Sequence, residues 1–160
     1  MLENIKRADN GNIKIGVVGG DLRQLVAAKT IAEAGYEIAI YGADSYEGEL
    51  GMAMRCVNLN DAVNKSDFVL LPLPYSLDGI HVNTPLSDTE IHLSEVFGKL
   101  TSGQTVLAGK ISSEELKDIK SMICDSEKAS IKIIDYYDRE DLTILNALPI
   151  VLVKLPIIKA

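Results

Sequence analysis

The stretch that decides the fold runs from Ile13 to Gln24 and reads IKIGVVGGDLRQ. Its first half, up to Val18, is a β-branched apolar run typical of a buried strand, and Gly19-Gly20-Asp21 marks a tight turn. From Asp21 onward the apolar residues follow helical spacing. The residues predicted on the buried face of that helix are Leu22, Leu25, Val26, Ala28 and Ala32. A second strand, predicted at 36–41, completes a β-α-β unit, which implies two parallel strands in one sheet.

The same alternation of short apolar runs and amphipathic segments continues along the chain. Further strands are predicted at 68–71, 105–108 and 130–134, and helices at 59–65, 87–97, 112–123 and 138–149. Capping-box spacing marks the starts of two of these helices, at Ser87 with Glu90 and at Ser112 with Glu115. The pattern predicts an α/β fold with a doubly wound, five-stranded parallel sheet in the order 2-1-3-4-5. Such a sheet is Rossmann-like or flavodoxin-like, and helices on both of its faces make three layers.

Composition excludes several classes of protein. The 160 residues include 16 Lys plus Arg against 23 Asp plus Glu, a net charge of -7, and contain no basic run, so we expect no nucleic-acid partner. Cys56 and Cys124 stand far apart without CxxC spacing, which predicts neither a disulfide nor a metal site. The N-terminus lacks the apolar core of a secretory signal, and the longest apolar stretch is too short to span a membrane. We therefore expect a cytoplasmic protein.

The loops at the carboxyl ends of the strands are the expected place for a ligand, because the crevice of an open α/β sheet lies there. The first of them differs from the dinucleotide motif GxGxxG, since Asp21 and Gln24 replace its second and third glycines. A carboxylate at this point repels a pyrophosphate, so we expect no NAD or NADP at this loop. Asp21 is either the N-cap of the helix or a group that contacts another ligand.

Three cationic residues are predicted to lie along the same edge of the sheet. Arg23 and Arg139 flank the ends of the first and fifth predicted strands, and Lys110 follows Gly109 at the end of the fourth. Cations in such a crevice bind carboxylates through charge-assisted hydrogen bonds. The alternative is that all three are solvated surface charges beside acidic neighbours.

Other candidate site residues lie in the later loops. His81, in the long loop after the third predicted strand, is a candidate general acid or base, whereas His92 is interpreted as a surface residue. Tyr136 and Tyr137 are ordinarily packing residues at a strand end; the alternative is that one hydroxyl faces the crevice, and Tyr136 is the candidate for it. Pro74, which closes the run LPLP at the end of the third strand, completes the set.

Two long stretches of the chain carry a family resemblance. They are IGVVGGDLRQ at 15–24 and DYYDREDLTILNALP at 135–149, and LPLP at 71–74 and GK at 109–110 lie between them in the expected order. On these residues the chain resembles the N-terminal domain of the dipicolinate synthase A-subunit, over nearly its whole length. The resemblance implies a Rossmann-like domain that precedes an NADP-binding domain. It also implies a partner, the flavoprotein-like B-subunit of dipicolinate synthase, with which the A-subunit oxidises a dihydrodipicolinate-derived precursor, a small dicarboxylate, in the mother cell of sporulating bacteria.

The resemblance ends at Pro149. Residues 150–160 read IVLVKLPIIKA, an apolar tail that departs from the family pattern and that we interpret as the result of a frameshift or a truncation. We therefore expect one domain at 1–149, with no cofactor in this chain and no independent catalysis, because the NADP-binding domain is missing. The apolar tail predicts either self-association into a homo-oligomer or burial of the tail against a neighbouring subunit. The alternative to a dipicolinate synthase domain is a free-standing α/β module that binds a ligand or a partner.

Overall fold

A parallel β-sheet organises residues 13–123 and 130–137, which are the residues that the computed structural model describes. The strands of this sheet are β1 (Lys14–Val18), β2 (Glu37–Tyr41), β3 (Met54–Arg55), β4 (Phe68–Leu70), β5 (Thr105–Ala108) and β6 (Lys132–Asp135). The helices within the same residues are α1 (Leu22–Glu33), α2 (Leu59–Val63), α3 (Leu93–Gly98) and α4 (Ser113–Met122). The strands lie in the order β3-β2-β1-β4-β5-β6, and every neighbouring pair is parallel.

The predicted doubly wound α/β sheet is confirmed, and its strand count is corrected from five to six. The five predicted strands correspond to β2-β1-β4-β5-β6, in the predicted order. The additional strand β3 pairs Met54 with Ala39 and Arg55 with Ile40 at the outer edge of β2. Both of its residues are exposed, so β3 has no buried face and lacks the apolar run that identifies a strand in a sequence.

Two hydrophobic clusters separate the layers. On one face of the sheet, α1 packs Leu25, Ala28 and Ile31 over a row of side chains from β2, β1, β4 and β5. That row is Ile40, Val17, Leu70 and Leu107, which are register partners across the sheet. On the other face, α2, α3 and α4 cover a second cluster. Helices on both faces give the predicted three layers.

The buried face of α1 differs from the predicted one. Leu22 and Val26, which were predicted to be buried, are 53% and 56% exposed. Gln24 takes the buried position because its amide donates to the carbonyl oxygen of Gly19 at 3.3 Å. The orientation of the helix therefore depends on the hydrogen bond of Gln24, a buried polar residue that hydrophobic periodicity does not detect.

The helix predicted at 87–97 begins later than its capping-box spacing indicates. α3 starts at Leu93, and its N-cap residue, His92, makes no side-chain capping bond. The Ser87 hydroxyl donates instead to the carboxylate of Asp44 and accepts the Thr89 N–H at 3.1 Å. These contacts hold residues 87–89 in a turn, which makes the predicted helix start wrong. The other predicted capping box, Ser112 with Glu115, is confirmed at α4.

Some predictions fall on residues that the structure does not describe. The helix predicted at 138–149, Arg139, Cys124 and the apolar tail at 150–160 all lie outside the described residues. Within 13–123 and 130–137, no helix combines the length and the apolar character that crossing a bilayer requires.

Candidate functional site

A cleft of about 680 Å³ lies beyond the carboxyl ends of β4, β5 and β6. Three connections form its walls: the loop after β4, the turn from β5 into α4, and the turn after β6. The residues that line it are Pro74, Ser76, Leu77, Lys110, Ile111, Ser112, Glu115, Asp135 and Tyr137. The cleft therefore lies at the edge of the sheet where the sequence predicts a ligand, and its volume suits a small molecule.

Among the described residues that line this cleft, Lys110 supplies the positive charge. It is exposed and follows Gly109 at the end of β5, as predicted. Its φ angle is 66°, in the left-handed region that residues with a side chain rarely adopt. A left-handed lysine lining a cleft is therefore the least ordinary backbone position in this part of the molecule.

The two carboxylates among the described lining residues accept hydrogen bonds from backbone N–H groups. Asp135 accepts the N–H of Lys110 at 3.0 Å, and Glu115 accepts the N–H of Ser112 at 2.7 Å. The hydrogen bond from the Ser112 backbone lowers the pKa of Glu115. Burial raises the pKa of Tyr75, whose hydroxyl is hydrogen-bonded to Glu115, to about 12. The acidic wall is thus hydrogen-bonded within the protein, and Tyr75 is neutral at physiological pH.

The first loop, between β1 and α1, is closed by backbone contacts. Gly19 N–H donates to the carbonyl oxygen of Tyr41 at 2.8 Å, and Gly20 N–H donates to that of Asn83 at 2.9 Å. Gly20 has a φ angle of 97°, which requires glycine. In a dinucleotide-binding loop the second glycine of the motif lets the pyrophosphate approach the N-terminus of the following helix. Here that position is Asp21, whose carboxylate accepts the Arg23 N–H at the N-terminus of α1, so the residues of this loop do not fit a dinucleotide.

Asp21 is the N-cap of α1, which was one of its two predicted roles. Its carboxylate accepts the Arg23 N–H at 3.0 Å and forms an ion pair with the Arg23 guanidinium at 2.9 Å. Burial is the largest single influence and opposes the ionisation of Asp21, but the hydrogen bonds and the charge of Arg23, with a backbone hydrogen bond from Gln24, together outweigh it, and the pKa of Asp21 is lowered. Arg23 is thus paired with a carboxylate and does not line the cleft that contains Lys110.

His81 is half-buried and does not itself line the cleft, although the hydroxyl of the lining residue Ser76 donates to its backbone carbonyl oxygen. Its Nδ1 is 2.7 Å from Asp78 and its Nε2 is 3.6 Å from Glu90. The ring of His92 lies 4.5 Å away, because residues 81 and 92 form an antiparallel bridge. The hydrogen bond with Asp78 raises the pKa of His81. Within residues 13–123 and 130–137, no group of three or more His, Cys, Asp or Glu is arranged to hold a metal.

The two tyrosines after β6 lie in different surroundings. Tyr136 is 4% exposed, and its hydroxyl donates to the carbonyl oxygen of Leu71 at 3.3 Å, within the first hydrophobic cluster. Tyr137 is 38% exposed and lines the cleft. Burial, together with the charge of Asp135, raises the pKa of Tyr136 above its ordinary value.

The structure therefore brings together two of the seven predicted site residues, Pro74 and Lys110. Pro74, which follows a cis peptide bond, also accepts the side-chain amide of Asn83 at 3.2 Å through its carbonyl oxygen. Asp21 and Arg23 lie at the neighbouring end of β1, His81 and Tyr136 lie elsewhere, and Arg139 is outside the described residues. Their proposed contacts with a ligand stay predictions. Ser76 and Asp135 were not predicted as site residues; the available signal was that Ser76 lies in the loop after β4 and that Asp135 lies at the end of β6.

Comparison with known proteins identifies relatives of the chain. A family model described as the N-terminal domain of the dipicolinate synthase A-subunit matches residues 14–137. The dipicolinate synthase A-subunit of Bacillus subtilis is 27% identical over 140 residues, which are 87% of this chain and 45% of that protein.

Two solved structures share the fold. The dipicolinate synthase A-subunit from Bacillus subtilis superposes with a TM-score of 0.68 at 23% identity, over 91% of this chain and 47% of that one. The A-subunit from Bacillus halodurans gives a TM-score of 0.65 at 23% identity, over 86% of this chain and 44% of that one. The chain thus spans less than half the length of these relatives. Since the family model extends from β1 to the turn after β6, the chain belongs to the family formed by the N-terminal domains of dipicolinate synthase A-subunits.

Proposed function

We propose that this chain is the substrate-side domain of a dipicolinate synthase, in which the cleft around Lys110 binds a small dicarboxylate. In this proposal the complete enzyme also needs an NADP-binding domain and the B-subunit as a partner, and it forms dipicolinate from a dihydrodipicolinate-derived precursor in the cytoplasm of the sporulating mother cell. Membership of the family and the greater length of the relatives support this assignment.

The placement of Lys110 carries the proposal. It is the cation among the residues that line the cleft, and the carboxylates near it already accept backbone hydrogen bonds. An ammonium group in this setting binds a ligand carboxylate through a charge-assisted bond, which is about twice as strong as a neutral hydrogen bond. The hydroxyls of Ser112 and Tyr137 also line the cleft and supply neutral hydrogen bonds to a second carboxylate, whereas the hydroxyl of Ser76 already donates to the carbonyl oxygen of His81.

The oxidation itself needs a hydride acceptor, which we assign to protein outside this chain. The first loop supports that assignment, because Asp21 stands where the dinucleotide motif has its second glycine and its carboxylate accepts the Arg23 N–H at the N-terminus of α1. A hydride acceptor has to be bound and oriented by protein groups. The chain alone is therefore expected to bind the dicarboxylate and to be inactive.

The binding half of the proposal is tested with pyridine-2,6-dicarboxylate as the probe, by calorimetric titration of the chain. Lys110→Met keeps most of the side-chain volume and removes the charge. We expect it to weaken binding by about 1.5–3 kcal/mol, or roughly 10- to 150-fold. Lys65→Met is the matched control, because Lys65 is also exposed but lies between α2 and β4 at the opposite edge of the sheet. Equal losses in both variants, or none in Lys110→Met, would contradict a carboxylate anchor at Lys110.

The catalytic half is tested in the two-domain enzyme that contains this domain, with the B-subunit added. There Lys110→Met should lower kcat/KM by a similar factor, whereas Lys65→Met should not. If the probe binds this chain but no combination with an NADP-binding domain and the B-subunit produces activity, the free-standing binding module is the better description.

A further inference from the structure

The carboxylate of Asp135, at the end of β6, accepts three backbone N–H groups. Its Oδ1 atom accepts from Lys110 at 3.0 Å and from Tyr137 at 2.9 Å, and its Oδ2 atom accepts from Ile111 at 2.8 Å. Lys110 and Ile111 are 25 and 24 residues away in sequence. One side chain therefore ties the turn after β5 to the turn after β6, and both turns line the cleft.

Two of these hydrogen bonds fix the backbone of Lys110. The Lys110 N–H belongs to the peptide unit before its Cα atom, and the Ile111 N–H belongs to the peptide unit after it. Holding both units on one carboxylate sets both backbone dihedral angles of Lys110. This matters because Lys110 is the one residue other than glycine with a positive φ angle in residues 13–123 and 130–137. A lysine does not favour this conformation, so it persists only where its surroundings impose it.

We propose that Asp135 is a positioning residue for the cleft: it holds Lys110 in the left-handed conformation that presents its ammonium group to the ligand. This inference rests on the proposed function, since it assigns Asp135 a role in binding through Lys110. Asp135 acts through the backbone and does not itself contact the ligand. Both of its oxygens are directed to N–H groups, which also limits the repulsion that a carboxylate would exert on an anionic ligand.

The test is Asp135→Asn, which keeps the volume of the side chain. The asparagine amide has one oxygen that can accept hydrogen bonds. Its NH₂ group is a donor and would face backbone N–H groups, which are donors as well. The substitution also removes a negative charge beside the cleft, which on its own would tighten the binding of an anion. A positioning role predicts the opposite sign: binding of pyridine-2,6-dicarboxylate should weaken by about tenfold. Unchanged or tighter binding would overturn the inference.

A double-mutant cycle separates positioning from a direct effect. In the Lys110→Met background, Asp135→Asn should cause no further loss of binding, because there is no ammonium group left to position. A further loss of about tenfold there would overturn the inference. Asp67→Asn is the matched control, because Asp67 accepts the Lys14 N–H at 2.9 Å at the opposite edge of the sheet. It should leave probe binding unchanged, and a loss of binding equal to that in Asp135→Asn would assign the effect to general destabilisation.

Amide hydrogen exchange without ligand keeps this inference distinguishable from the proposed function. In Asp135→Asn, exchange at Lys110, Ile111 and Tyr137 should be about tenfold faster, while exchange in β1 and β4 stays unchanged. If the exchange at these residues is unchanged, the carboxylate does not hold the turn and the inference fails. If the wild-type chain does not bind the probe although exchange responds as expected, the proposed function fails and the role of Asp135 in ligand binding fails with it.

Discussion

The backbone N–H of Gly20 donates to the carbonyl oxygen of Asn83 over 2.9 Å, although the two residues belong to different loops. Asn83 belongs to the loop after β4 and is held by earlier residues of that loop. Its N–H donates to the Tyr75 carbonyl oxygen at 2.9 Å, and its side-chain amide donates to the Pro74 carbonyl oxygen. The chain from Pro74 to Asn83 thus joins the wall of the cleft to the loop between β1 and α1. This connection holds the loop between β1 and α1 closed.

The first prediction is that the chain binds neither NAD nor NADP tightly. Calorimetric titration should give a dissociation constant above about 10 μM, which corresponds to a binding free energy weaker than roughly -7 kcal/mol. Asp21→Ser should not restore binding, because serine still caps α1 while the N–H groups of Gly19 and Gly20 stay bonded to Tyr41 and Asn83. A dissociation constant below about 10 μM in the variant alone would show that the charge of Asp21 is the only barrier.

Local signals made the first third of the fold predictable. The apolar run at β1, the glycines after it and the N-capping role open to Asp21 all act within a few residues, and the structure places Asp21 at the cap of α1. The capping box at Ser112 is local in the same sense. The loop between β4 and α3 was not predictable, because its shape depends on the hydrogen bond between Gly20 and Asn83, which are distant in sequence, and on the bridge between His81 and His92 across the loop.

The candidate site was predictable only in part, for the same reason. Lys110 could be identified because it follows a strand and a glycine, whereas its partner Asp135 lies 25 residues further along the chain. The Tyr136-Tyr137 pair shows another limit. Neighbouring residues at a strand end point in different directions, so deciding which one faces the cleft requires the register of β6.

The second prediction concerns the pH dependence of the loop around His81. The carboxylate of Asp78 raises the pKa of His81 above its ordinary value of 6.5, so the protonated ring stabilises the fold. This stabilisation is complete below pH 6.5 and is lost as the pH rises through the raised pKa of the folded state. An NMR titration of the His81 ring should therefore show a midpoint above 6.5.

Asp78→Asn is the matched variant for this titration. Asparagine keeps the oxygen that accepts the Ile80 and His81 N–H groups at 2.8 Å, so the turn is retained while the charge is removed. Glu90 and the ring of His92 also face His81 and are unchanged by this substitution. The His81 midpoint should move down toward 6.5 in this variant. An unchanged midpoint would mean that Asp78 is not the cause of the shift.

The third prediction is that Gly109 cannot be replaced without loss of stability. A Cβ atom at this position would lie 3.0 Å from Leu73 Cβ and 3.1 Å from Tyr136 Cζ, and closer still to the end of the Leu73 side chain. Gly109→Ala should lower the free energy of unfolding by about 1–3 kcal/mol, as overpacking does, in a chemical denaturation experiment. Gly98→Ala is the control, because a Cβ atom there meets nothing within 4 Å. Since Gly98 belongs to α3, alanine should be neutral or stabilising by up to about 1 kcal/mol.

The last prediction separates the two tyrosines after β6. Tyr136→Phe removes the hydrogen bond to the Leu71 carbonyl oxygen in the core, so the free energy of unfolding should fall by about 0.5–1.5 kcal/mol. Binding of pyridine-2,6-dicarboxylate should stay the same. Tyr137→Phe removes a hydroxyl from the lining of the cleft, so probe binding should weaken by about two- to tenfold, with a smaller loss of stability than in Tyr136→Phe. Denaturation and calorimetry on both variants measure the free energy of unfolding and the binding of the probe. Weaker binding in Tyr136→Phe than in Tyr137→Phe would mean that Tyr136 is the residue that contacts the ligand.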